Sequence, residues 1–271
     1  MTTTPVTVGV SLKMYFGHRQ TLDWCASVAE LAAHHPAIAA GTVELFVIPE
    51  FTTLAPAVEI LGASGVLVGA QDLFWEDRGA YTGEVSGTDL AEIGISVVEV
   101  GHAERRRIFA ETDAIVAAKT AAALRNGIAP VLCIGEQVKG DVVDAAEQVI
   151  RQLESAISDA PDGRIIVAYE PVWAIGAATP ADPSYIRTVC GALRRHIAGW
   201  TGRDGSVVIY GGSAGPGLLG ELGGDADGLF LGRFAHSVEA LGTVLDEAAE
   251  LSASRAAAAS TALTTATGEN V

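Results

Sequence analysis

The chain has 271 residues, 49% of them hydrophobic, and its 17 basic against 33 acidic side chains leave a formal charge of −16. That charge excludes a nucleic-acid binder or a protein drawn to an anionic membrane surface, so any anionic ligand needs a locally built site. Cys25, Cys133 and Cys190 have no CxxC spacing and offer neither a disulfide framework nor a zinc site; with no leader-like start and no bilayer-spanning apolar run, a cytoplasmic protein is expected.

Short apolar runs alternate with longer amphipathic segments from end to end. Val6–Leu12 reads as the first strand and Thr21–His34 as the helix after it. Val43–Ile48, Val66–Ala70 and Ser96–Val100 read as the next three strands. A helix over Asp113–Asn126 has Asp113 at its N-cap and is stopped by Gly127. Strand five is Ala129–Ile134, followed by a helix over Val142–Ile157 with Asp141 as its cap. Strand six, Ile165–Tyr169, delivers Glu170 to its C-terminal end, where Pro171 has no N–H to continue the ladder. A helix over Pro183–Ala198, strands Val207–Tyr210 and Gly228–Leu231, and a helix over Ser237–Leu251 complete the pattern. Eight β-then-α units with strands apolar on both faces predict an α/β fold: one domain, a closed (β/α)8 barrel over residues 1–251. Residues 252–271, rich in Ala, Ser and Thr, read as a frayed or disordered tail.

In such barrels the chemistry sits at the C-terminal strand ends. Here those ends are Ser11-Leu12-Lys13-Met14, Gly101-His102-Ala103-Glu104, Glu170, Tyr210-Gly211-Gly212-Ser213 and Leu231-Gly232-Arg233. A cation, an imidazole and a carboxylate thus come from three strands, and two glycine-rich turns lie side by side, where backbone N–H groups can converge on phosphate. Singly, each is an ordinary strand-end residue. Glu104-Arg105-Arg106 reads as a structural ion-pair cluster in which Glu104 orients Lys13, and Cys133-Ile134-Gly135-Glu136 as packing. The loop Trp173–Thr179 reads as a lid that excludes water from Glu170.

These stretches, with Gly69-Ala70-Gln71, Tyr81-Thr82-Gly83-Glu84-Val85-Ser86 and Tyr169 through Gly176, resemble the triosephosphate isomerase family over nearly the whole chain. The resemblance implies a TIM barrel with Lys13 as electrostatic substrate binder, His102 as electrophile and proton shuttle, and Glu170 as base. It also implies main-chain phosphate binding near Gly176, Ser213 and Gly232. No metal or cofactor is implied. The third loop, about residues 71–86, is expected to enter the partner of a homodimer. As in the family at large, the helix beginning near Ala103 would hold a neutral imidazole, and a lid would exclude water.

Four departures surround the substrate rather than the catalytic groups. Ser11-Leu12 replaces the family's usual Asn-Trp before the lysine, leaving a gap beside the reacting end. Ala103 stands where a serine usually follows the histidine. Arg233 takes the place of a second glycine, and Ala178-Thr179 that of a Gly-Lys pair in the lid. The smaller Ser11 and Ala103 make room for an additional group on the reacting carbon, and Arg233 is placed to contact the phosphate or the added hydroxyl. The favoured reaction is therefore interconversion of L-erythrulose 1-phosphate and D-erythrulose 4-phosphate. The alternatives are an ordinary triosephosphate isomerase and a non-catalytic phosphosugar-binding protein.

Overall fold

The structure, a computed structural model, describes residues 4–268. Successive strand residues point to opposite faces, and nearly every strand residue here is buried, so the sheet must be covered on both sides. It is covered inside by closing on itself. The strands β1 (Val6–Ser11), β2 (Val43–Ile48), β3 (Leu67–Ala70), β4 (Val97–Val100), β5 (Ala129–Ile134), β6 (Ile166–Tyr169), β7 (Val207–Tyr210) and β8 (Gly228–Leu231) pair in sequence order, and β8 returns to β1. Four expected strands are one residue too long: Leu12, Val66, Ser96 and Ile165 fall outside their ladders.

The two-residue period divides the core. Phe46, Ile48, Val97, Val131, Cys133, Ile166, Ala168, Val207, Ile209 and Phe230 fill the barrel, while residues of opposite parity, such as Val98, Val100, Val167 and Val208, face the helices. Gly9 is required by this filling: a Cβ there would stand 2.1 Å from Phe46 Cζ. Phe46 in turn packs on Phe230 with ring centroids 5.8 Å apart.

The helices follow as α1 (His18–His34), α2 (Pro36–Ala39), α3 (Leu54–Leu61), α4 (Gly87–Glu92), α5 (Ala103–Phe109), α6 (Asp113–Arg125), α7 (Val142–Ile157), α8 (Pro183–Ile197), α9 (Leu218–Leu222) and α10 (Val238–Gly268). Asp141 caps α7 as expected, accepting from the Val143 N–H at 2.8 Å. The cap of α6 is Thr112, not Asp113: its hydroxyl accepts from Ile115 N–H, and Asp113 sits in the first turn. Both acids suit a helix N-terminus, but Thr112 holds the extended conformation a cap needs.

The segment read as a frayed or disordered tail continues α10 to Gly268; its last residues, 269–271, lie outside the described ones. Docking extends past Leu251. Ser252 is buried, and Arg255 donates to Ala226 O at 2.6 Å beside Asp227. Among the described residues no helix is long and apolar enough to cross a membrane.

Candidate active site

Each strand end delivers its side chain by a local device. After β4, Gly101 takes a positive φ of 75° that glycine alone adopts without strain. This turns the chain so that His102 becomes the N-cap of α5. Its Nδ1 accepts the Glu104 backbone N–H at 3.1 Å, so Nδ1 carries no proton and Nε2–H is the donor facing the barrel mouth. Nε2 lies 3.7 Å from Glu170 Oε2 and 3.8 Å from Glu99 Oε1. Both exceed hydrogen-bond distance, which leaves the donor available to a ligand.

Lys13 follows β1 with φ 50°, a left-handed conformation costly for a side-chain-bearing residue. Gln71 holds it there, its Nε2 donating to Lys13 O at 2.8 Å. Lys13 Nζ is 2.8 Å from Glu104 Oε1. Burial works against the Lys13 charge, but the Glu104 hydrogen bond and the negative charges of Glu104, Glu170 and Glu99 outweigh it and raise its pKa. Glu104 is correspondingly lowered, its partial burial being outweighed by Lys13.

Glu170 follows β6, its N–H donating to Ile134 O at 2.8 Å. The turn after β7 touches it: a Cβ on Gly211 would fall 2.6 Å from Glu170 Oε1. Glu170 Oε2 is buried and has no hydrogen-bond partner among the described residues. Burial is the main cause that pushes its pKa up to about 7; the Lys13 charge and the Cys133 thiol pull it back, and Glu104 adds to the rise.

All ten residues singled out from the sequence line one cavity of about 1070 Å³: Ser11, Lys13, His102, Ala103, Glu104, Glu170, Gly176, Ser213, Gly232 and Arg233. Arg106, Arg107 and Arg233 add to Lys13 on its walls, a local concentration of cations on an acidic molecule. Ser213 has φ 55°, and its hydroxyl lies 3.1 Å from Ala174 O and 3.0 Å from Ala177 O, holding the loop after β6. The far end of that loop is held by Tyr210, whose OH accepts from the Ala181 N–H at 3.2 Å and donates to Gly212 O at 2.7 Å. Arg233 is exposed at the cavity wall. The Glu104–Arg106 segment does form an ion-pair cluster, Arg105 with Asp72 and Glu111, and Arg106 with Asp113.

Two acids assume roles that sequence reasoning missed. Glu136, read as packing, accepts from Trp173 Nε1 at 2.7 Å and from the hydroxyls of Tyr169 and Tyr185, tying the loop after β6 to the barrel. Glu99, only 4% exposed, accepts the Ser11 hydroxyl at 2.9 Å, so the space expected beside Ser11 is bordered by a carboxyl group. Its signal was in the sequence: Val97-Val98-Glu99-Val100 puts the one charged residue of β4 at an inward position.

The family model described as triosephosphate isomerase matches residues 6–248. The chain is 53% identical over 256 residues to a Pectobacterium atrosepticum protein named L-erythrulose-1-phosphate isomerase, covering 93% of this chain and 99% of that one. A Rhizobium etli protein of the same name is 41% identical over 242 residues, covering 86% and 89%. The crystal structure of triosephosphate isomerase from Bartonella henselae superposes with a TM-score of 0.75 at 29% identity, over 90% of this chain and 99% of that one.

Proposed function

We propose, since the chain belongs to the triosephosphate isomerase family, that it interconverts L-erythrulose 1-phosphate and D-erythrulose 4-phosphate through an enediolate, as a homodimer in the cytoplasm. The observation that carries the reaction class is the convergence of Lys13, His102 and Glu170 from three strand ends on one cavity. Glu170, with an unpartnered oxygen and a pKa near 7, removes the proton on the carbon next to the carbonyl. Negative charge then develops on the two oxygens, where the fixed Lys13 charge and the His102 Nε2–H oppose it. His102 relays a proton from one oxygen to the other, and Glu170 returns its proton to the former carbonyl carbon. The carbonyl has moved by one carbon with no change in composition. Backbone groups at Gly176, Ser213 and Gly232, with the Arg233 side chain, hold the phosphate. Ala103 and Ser11 leave room at the reacting end, and Glu104 positions Lys13.

The four-carbon substrate is supported by the 53% identity to the Pectobacterium protein and by the departures from the family's usual residues, which lie around the substrate while the three catalytic groups are intact. The homodimer is supported by the family and by exposed Met14 and Tyr81, 90% and 44% accessible. The cytoplasm suits the three buried free thiols. The test is kcat/KM on L-erythrulose 1-phosphate against dihydroxyacetone phosphate: a clear preference for the first is expected. A preference for the second would make this a triosephosphate isomerase, and turnover of neither would leave a binding protein.

A further inference from the structure

The two substrates differ by one group. L-Erythrulose 1-phosphate is dihydroxyacetone phosphate with a hydroxymethyl on the reacting carbon, so the site must accommodate one extra carbon and satisfy one extra hydroxyl. A hydroxyl buried without a partner is disfavoured, and a site that supplies the partner disfavours the ligand lacking that hydroxyl.

The floor of the cavity supplies such a partner. The phosphate-holding groups stand on the loops after β6, β7 and β8. Ser11 and Glu99 instead come from β1 and β4 and meet across the barrel interior, Ser11 Oγ donating to Glu99 Oε2 at 2.9 Å. The other oxygen, Oε1, is 3.8 Å from His102 Nε2 and 4.0 Å from Cys133 Sγ. It therefore lies beside the catalytic donor, with no strong hydrogen bond of its own, against Cys133 of the barrel filling. Buried carboxyls are rare unless satisfied, and the reaction steps above do not use this one.

We propose that Glu99, supported by Ser11, exchanges a hydrogen bond with the terminal hydroxyl of the four-carbon substrate and so sets the substrate preference of this site, an inference that rests on the four-carbon reading. Dihydroxyacetone phosphate has no group for that position, and binding it leaves Glu99 Oε1 with only the long Cys133 thiol contact. Burial, above all, raises the Glu99 pKa, with the neighbouring Glu170 adding to it. A carboxyl at this place pairs with a hydroxyl as acceptor when ionised and as donor when protonated.

The experiment measures kcat/KM on both substrates for the parent protein, Glu99→Leu, Glu99→Gln and Ser11→Ala, with 2-phosphoglycolate affinity as a reference. That anion has a phosphate but no terminal hydroxymethyl. Glu99→Leu should lower the four- to three-carbon ratio by about 100-fold, Ser11→Ala by about tenfold, and Glu99→Gln, which keeps a hydrogen-bonding end of the same shape, by less than Ser11→Ala. Phosphoglycolate affinity should stay within about threefold throughout, the scale of indirect packing effects. A Glu99→Leu ratio equal to the parent's overturns the proposal. So does an equal loss on both substrates and on phosphoglycolate, which would make Glu99 a support for His102. If Glu99→Leu does not fold, an unchanged ratio in Ser11→Ala overturns it alone. A parent that prefers dihydroxyacetone phosphate overturns the four-carbon reading itself, a result distinct from any of these.

Discussion

Glu170 is placed where burial disfavours a carboxylate most, with an oxygen that no hydrogen bond serves. That is a penalty for folding and an advantage for a base, since a base working near neutral pH needs a pKa close to it. As the free enzyme requires the carboxylate, kcat/KM is expected to fall about tenfold for each pH unit below about 7. A limb near the ordinary carboxylate range would show that Glu170 is solvated or is not the base. The same shift has a stability consequence of opposite direction. Between the ordinary 4.5 and about 7 the folded state binds the extra proton, so this group's contribution to stability declines as pH rises through that window. Glu170→Gln should therefore gain on the parent between pH 4 and pH 8, on the order of 3 kcal/mol, read from urea melts at both pH values. Equal slopes would place the Glu170 pKa at its unfolded value.

At the scale of elements, the loop from Trp173 to Thr179 is anchored at both ends by groups on other strands. Glu136 at the end of β5 gathers three donors, from Trp173, Tyr169 and Tyr185. At the other end Tyr210 and Ser213 hold Ala181, Ala174 and Ala177. These contacts fix the loop beside Glu170, where the proposed lid would exclude water. Glu136→Gln replaces an acceptor-only group by one that presents an N–H to three donors. The expected result is a loss of about tenfold in kcat/KM and a change in Trp173 fluorescence, with the acid limb of the pH profile unmoved. A shifted limb would mean that Glu136 acts on Glu170 rather than on the loop.

For the whole molecule, the acidic surface and the cationic cavity separate long-range repulsion from local capture of an anion. The segment 71–86 joins catalysis to the expected assembly. Its first residue, Gln71, holds the strained Lys13 backbone, and its tip carries Tyr81 stacked on Phe74 with centroids 4.6 Å apart. Tyr81→Glu puts a charge into the proposed interface. Sedimentation should show the parent as a dimer and the variant shifted toward monomer, with kcat reduced because Lys13 loses its support. A monomeric, fully active parent would overturn the proposed dimer.

How much of this was legible in the chain follows from which interactions are local. Strand positions are set by side-chain periodicity, and helix ends by caps such as Asp141 and Gly127; the strands agree to within a residue, while the first helix starts three residues earlier than expected, at His18, and the last runs on past Leu251. Where the reading failed, conformation decided between neighbours: Thr112 rather than Asp113 holds the extended cap. Beyond Leu251 an Ala-rich composition says nothing of docking, which Arg255 achieves by reaching Ala226, far away in sequence. The sequence by itself determined the barrel, the family, and the residues at the strand ends. Only the tertiary structure decided that Glu136 grips the loop after β6, that Glu170 is buried with its Oε2 unserved by the described residues, and that Ser11 and Glu99, 88 positions apart, meet inside the barrel. Such contacts arise from closing the sheet, and no local pattern encodes them.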